Sequence, residues 1–132
     1  MKVVCDTNVL VAALVADGLC RDIVKRRLPQ VELFTSNALL KELAATLRIK
    51  FGADPDDLPL LAAYRARATI VRPAKLAQGV CRDPDDDVVL ATASAAKADC
   101  ILTGDQDLLV LRRFEGIAIL SPRAFVERMD SG

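Results

Sequence analysis

The sequence predicts an α/β fold: a three-layer α/β/α domain with a mainly parallel, five-stranded sheet. Three observations carry that expectation. Short apolar runs at 3–5, 32–35, 69–72, 100–103 and 117–120 alternate with longer stretches of helical periodicity. The first and fourth of these runs open into polar turns, Asp6-Thr7-Asn8 and Thr103-Gly104-Asp105, as strand–turn–helix units of α/β folds do. No repeat, linker or low-complexity tract divides the chain, so strands joined through helices must run largely parallel and be covered on both faces. One domain over residues 1–132 is expected.

Taken in order, 3–5 is a short strand and 9–15 the helix after its polar turn. Residues 20–28 form a second amphipathic helix closed by Pro29, and 32–35 the next strand. Ser36 or Thr35 caps a third helix that carries Leu39, Leu40, Leu43 and Leu47 at helical spacing. Asp54-Pro55 opens a helix to about Arg67, with proline suited to its first turn and Leu58, Leu61, Ala62 and the stem of Arg65 toward the core. Strand 69–72 and a connecting segment, 73–81, lead to the helix 88–97, which Asp87 opens. After strand 100–103 come a short helix at 108–112 and the last strand, 117–120. Ser121-Pro122 starts the final helix, to about Met129.

Composition narrows the chemistry. Apolar residues make up 52% of the 132, enough for a real core. Lys plus Arg and Asp plus Glu are 18 each, so bulk charge singles out no nucleic-acid partner. Acids neutralised together by metal would leave the remaining surface net positive. Basic residues cluster at 21–27, 65–75 and 112–113, which ordinarily means solvated helix faces. There is no histidine, and Cys5, Cys20, Cys81 and Cys100 lack CxxC spacing, so zinc has poor ligands and a histidine-activated nucleophile is excluded. Lys2 and the apolar residues after it loosely resemble a secretory leader, but Asp6 and Asn8 interrupt them. No stretch approaches membrane-spanning length, and the expected setting is the reducing cytoplasm.

Acids recur where such a fold binds ligands. Asp6 and Asp105 follow the first and fourth strands, and both would project over the same sheet edge if those strands are parallel neighbours or near-neighbours. Asp87 shares a helical stripe with Leu90, Ala91 and Ser94 and need not face bulk water. Glu42 sits mid-helix beside an apolar surface, although a glutamate there ordinarily faces solvent. Asp83, Asp85 and Asp86 read as complements to a helix N-terminus. Carboxylates drawn together repel, and a hard dication, Mg²⁺ or Mn²⁺, suits a histidine-free, all-oxygen donor set. Such an ion leaves room for a phosphate oxygen and an attacking water, which points to phosphodiester hydrolysis.

At these residues a family resemblance enters. DTNVL at the start, KEL in the third helix, DPDDD followed by VVLA, and TGDQDLL together resemble the PIN-domain nucleases, especially the bacterial toxin–antitoxin branch of the VapC type. The resemblance covers essentially the whole chain. It implies a Rossmann-like fold and a Mg²⁺- or Mn²⁺-dependent endoribonuclease site. Carried over by motif, Asp6, Glu42, Asp87 and Asp105 are the catalytic, metal-holding acids, and Asn8 and Thr103 the polar supports that orient them. Asp107 assists beside them or caps the short helix that follows. The same resemblance implies an RNA substrate, a cognate antitoxin and a homodimer.

Two other readings compete with this one. DTNVL superficially resembles the DxDx[TV] nucleophile loop of haloacid-dehalogenase-type phosphatases, but Asn8 stands where the second aspartate belongs and no lysine-bearing partner motif is evident. The other is a catalytically silent PIN-like module that binds RNA or protein, against which the intact set of four acids argues. With aromatic residues only 4% of the chain, a base-stacking platform is not evident, and specificity is expected from RNA shape.

Overall fold

A computed structural model describes residues 1–75 and 84–131, the side chains of 84–86 excepted. Its strands are β1 (Lys2–Cys5), β2 (Glu32–Thr35), β3 (Thr69–Ile70), β4 (Cys100–Leu102), β5 (Arg113–Phe114) and β6 (Ile117–Leu120). They form one sheet in the order β3-β2-β1-β4-β6-β5, parallel throughout except at the β5–β6 pair. The helices are α1 (Thr7–Val15), α2 (Leu19–Asp22), α3 (Asn37–Phe51), α4 (Pro59–Arg67), α5 (Pro84–Ala96), α6 (Gln106–Leu109) and α7 (Pro122–Ser131).

The expected α/β class and mainly parallel sheet are present, but five strands become six. The additional strand is β5. The helix expected at 108–112 stops at Leu109, and Arg112 turns into the left-handed region at φ 60. Glu115 (φ 50) and Gly116 (φ 78) then make the two-residue turn of a hairpin, whose positive φ values match the twist of paired strands.

Two further departures have local causes. Helix 54–67 is split: Asp54 caps a single 3₁₀ turn, Pro55–Asp57, and a fresh helix starts at Pro59. Proline at 59 holds Leu58 extended (φ −108, ψ 101), which breaks the run. The restarted helix buries Leu61 and Tyr64 and leaves Ala62 and Arg65 exposed. The helix expected at 20–28 is composite: α2 passes into a π-helical turn, Ile23–Arg27, and a 3₁₀ turn, Leu28–Gln30.

Alternation along the strands sorts the core into two layers. Val3, Cys5, Leu33, Cys100 and Leu102 face one side, where α1, α4 and α7 contribute Val9, Leu61 and Phe125. Val4, Ile101 and Ile119 face the other, against Val89 and Leu90 of α5 and Leu108 of α6. α3 belongs to both: Leu39 joins the second cluster and Leu43 and Leu47 the first. That helix therefore bridges the layers, with Glu42 between its two apolar footholds.

Candidate active site

β1 and β4 are parallel neighbours, with Cys5 opposite Leu102, and the strand order reverses between them. A reversal of this kind leaves a crevice beyond the carboxyl ends of the two strands. Asp6 is the first residue past β1, and its N–H donates to the Leu102 carbonyl at 2.9 Å. Thr103 is the first past β4, and its N–H donates to the Leu120 carbonyl at 3.0 Å.

The two turns are fastened side chain to side chain. Asp6 caps α1, its Oδ1 accepting from the Thr7 N–H at 2.7 Å. Its Oδ2 accepts from the Thr103 hydroxyl at 2.7 Å and from Asn8 Nδ2 at 3.3 Å. The same Thr103 oxygen accepts from the Asp105 N–H at 3.0 Å, and Asn8 Oδ1 accepts from the Gly104 N–H at 3.2 Å. Thr103 has one hydroxyl proton, committed to Asp6, so its oxygen is left to serve Asp105. Asp105 caps α6, its Oδ1 accepting from the Asp107 N–H at 2.9 Å. Asp105, not Asp107, thus makes the cap, and Asp107 occupies the first turn of α6.

Electrostatics at Asp6 run against ionisation. It is 6% exposed, and burial raises its pKa above the usual 3.8. The Thr103 hydroxyl and Thr7 N–H pull it down, and the charge on Asp105 pushes it up again. Like charges at one crevice call for a proton or a cation.

Glu42 reaches the same place from α3, which Ser36 caps by accepting from the Leu39 N–H at 3.3 Å. Asp6, Thr7, Asn8, Glu42 and Asp105 line one end of a cavity of about 560 Å³. Asp87 lies in the first turn of α5 and is half-buried; among the described residues it does not line that cavity. Its helix is placed by Thr92, whose hydroxyl meets Ser36 Oγ at 2.9 Å just past β2. Asp87 lies five residues before Thr92 on that helix, about 7.5 Å along it at the usual rise. Asp83 and Cys81 lie outside the described residues.

Whether these residues suit a dication turns on donor type and spacing. The donors are oxygens, and the buried Asp6 is repelled by Asp105, which fits a hard ion in kind. In spacing, no three acidic or cysteine side chains among the described residues lie close enough to hold one ion as they stand. The thiols offer no alternative: burial raises Cys5, Cys20 and Cys100, the last to about 11, away from the thiolate a metal requires.

Several cations that the sequence leaves available to a partner are engaged. Arg21 pairs with Asp17 and donates to the Ala13 and Leu14 carbonyls, Arg26 pairs with Asp22, and Arg27 ties the α2 region to Asp130 of α7. Other residues on the cavity wall were missed in the sequence: Thr7, Lys50 and Phe51. The signal for Lys50 was its spacing from Glu42, two helical turns along α3 through Thr46.

Comparison with known proteins agrees with this architecture. The family model described as PIN domain matches residues 2–107. An uncharacterized protein of Methanocaldococcus jannaschii is 35% identical, with 98% of this chain and 92% of that protein covered. Among solved structures, a chain of VapBC2 from Rickettsia felis, bound to a DNA fragment from their promoter, superposes with a TM-score of 0.63 at 15% identity. That superposition covers 92% of this chain and 98% of the other.

Proposed function

The chain belongs to the PIN-domain family, and from that premise we propose that it is a Mg²⁺- or Mn²⁺-dependent endoribonuclease that hydrolyses RNA phosphodiester bonds. Asp6, Glu42, Asp87 and Asp105 are the acids of its metal site in this reading. The observation that carries it is the fastening of Asp6 to the Asp105 turn through Thr103 at the point where the strand order reverses. A bound dication would supply charge for the phosphate and acidify a water. The chain's own residues do the positioning. Thr103 and Asn8 hold Asp6 against the TGD turn, and the α6 cap fixes the Asp105 carboxylate. α3 brings Glu42 to the opposite wall.

The same proposal makes residues 1–132 one nuclease domain, the toxin of a type II toxin–antitoxin pair, homodimeric and bound by a cognate antitoxin. Its support is the family together with the fold likeness to VapBC2. A cytoplasmic setting is part of the reading. Free Cys5, Cys20 and Cys100 accord with it, and among the described residues no helix is long and apolar enough to cross a membrane.

One observation favours a second reading, a silent PIN-like module that binds RNA or protein: the spacing of the described acids, which gathers no three of them. A metal-titrated cleavage assay on structured and unstructured RNA separates the two. Cleavage that needs Mg²⁺ or Mn²⁺, stops with EDTA and disappears in Asp6→Asn supports the nuclease. RNA binding without cleavage at any metal concentration supports the module.

A further inference from the structure

The cavity that holds the acids continues past them. Beyond Asp6 and Glu42 it follows the crevice between α1 and α3, where Val11, Ala12 and Val15 face Thr46, Lys50 and Phe51. Its character changes along the way, from carboxylates at the sheet edge to an apolar wall with one ammonium group. Phe51 is 49% exposed and Val15 39%, so both side chains are open to a ligand that enters the cavity. Phe51 is also the last residue of α3. Gly52 follows at φ 60, its N–H bonded to the Arg48 carbonyl while the Ala53 N–H reaches Leu47, so the helix stops there and presents the ring at its end.

Resting on the nuclease reading, we propose that this second end of the cavity is a subsite for one unpaired nucleotide beside the scissile phosphate. Its base lies on Phe51 and Val15, and the Lys50 ammonium meets the neighbouring phosphate. Two features select a nucleotide as the occupant. The wall is continuous with the acids, so a chain whose phosphate sits at Asp6 and Glu42 has a path along it. A cation then recurs after the acids, in the stripe Glu42–Thr46–Lys50, as an alternation of metal-bound phosphate, base and next phosphate requires. A base held in a duplex presents only its edges to a protein, so the subsite selects single-stranded or bulged RNA. One aromatic ring at this place supplies the stacking surface that the low overall aromatic content does not suggest.

The test uses the full chain and fluorescent RNA of about a dozen mixed-sequence nucleotides, single-stranded or annealed to its complement. Binding is read by anisotropy in the Asp6→Asn background, and cleavage in the parent with Mn²⁺. Phe51→Ala should weaken single-strand binding about ten-fold, and Phe51→Trp should restore it. Lys50→Gln should reduce the slope of log affinity against log salt by about 0.7, one phosphate's worth on a single strand. The duplex should bind more weakly and ignore Phe51. If the parent cleaves with metal but Phe51→Ala and Lys50→Gln bind like the background protein, the wall serves something else, such as a protein segment. The subsite then falls and the nuclease stands. Duplex binding as tight as single-strand binding overturns the subsite too. If the parent neither binds nor cleaves RNA, the nuclease reading falls and takes the subsite with it.

Discussion

Replacing Thr103 by valine removes one oxygen and little volume, and the structure says what that oxygen does. It donates to the buried Asp6 carboxylate at 2.7 Å and accepts from the Asp105 N–H at 3.0 Å. A hydrogen bond to a charged group contributes about 1.5–3 kcal/mol, and a stranded N–H costs about 1–3 kcal/mol. Because the Asp105 N–H is only partly buried, water recovers some of the second loss, and a total of about 2–4 kcal/mol is expected. With unfolding entropy near 2.1 cal/mol/K per residue, 132 residues give about 0.28 kcal/mol/K, so Tm should drop by about 7–14 °C. Thr103→Ser is the control. It keeps the hydroxyl and loses one methyl, at about 1 kcal/mol. Urea and thermal melts without metal measure both. The serine variant should retain any metal-induced rise in Tm and the valine variant should lose most of it. A valine variant within about 0.5 kcal/mol of the parent would refute the idea that this oxygen holds the two turns together.

Other outcomes follow from the same site. Asp6→Asn should abolish cleavage and change the pH dependence of stability. Asp6 titrates above 3.8 in the folded protein, so its folded form keeps a proton that the unfolded form has released, and stability falls as pH rises through the folded value. Measured without metal, the Tm of Asp6→Asn relative to the parent should therefore climb from about pH 4 toward neutrality; a flat difference would contradict the raised pKa. Mg²⁺ or Mn²⁺ at a hundred times its Kd should stabilise the parent by about 2.7 kcal/mol, roughly 10 °C, and no shift at millimolar metal would count against a metal site. Asp87→Ala should reduce cleavage far more than Asp83→Ala, and equal losses would mean that Asp87 is not the acid of that run which serves the site.

Much of the fold was legible because local chemistry and tertiary position agree. Ser36 caps α3 and Pro122 opens α7, each where cap and proline preferences put it, whereas α1 starts two residues before the expected Val9 because Asp6 caps it. The misses lie where two local signals compete. Pro55 suited a helix start, but Pro59 made a second, and the later proline moved the buried face onto Tyr64. At 108–112 the apolar spacing suited a helix, yet the chain leaves the helix after Leu109, Arg112 turns left-handed, and Arg113 and Phe114 enter the hairpin that turns at Glu115-Gly116. Of the site, the Asp6–Asn8 and Thr103–Asp105 turns could each be placed after a strand from the sequence, and the pairing of β1 with β4 is what brings them together. Phe51 could not be: its importance depends on α3 lying along α1, a long-range packing that periodicity does not encode.

Among the described residues the sheet's outermost strands, β3 and β5, are each two residues long. Strands that short offer a passing chain almost no ladder to extend, which protects against end-to-end accretion of sheets. An association between copies that does not extend the sheet would be built by side chains on helix and loop surfaces. Such a union should tolerate proline in β3 or β5 and be broken by charge reversals on the helices.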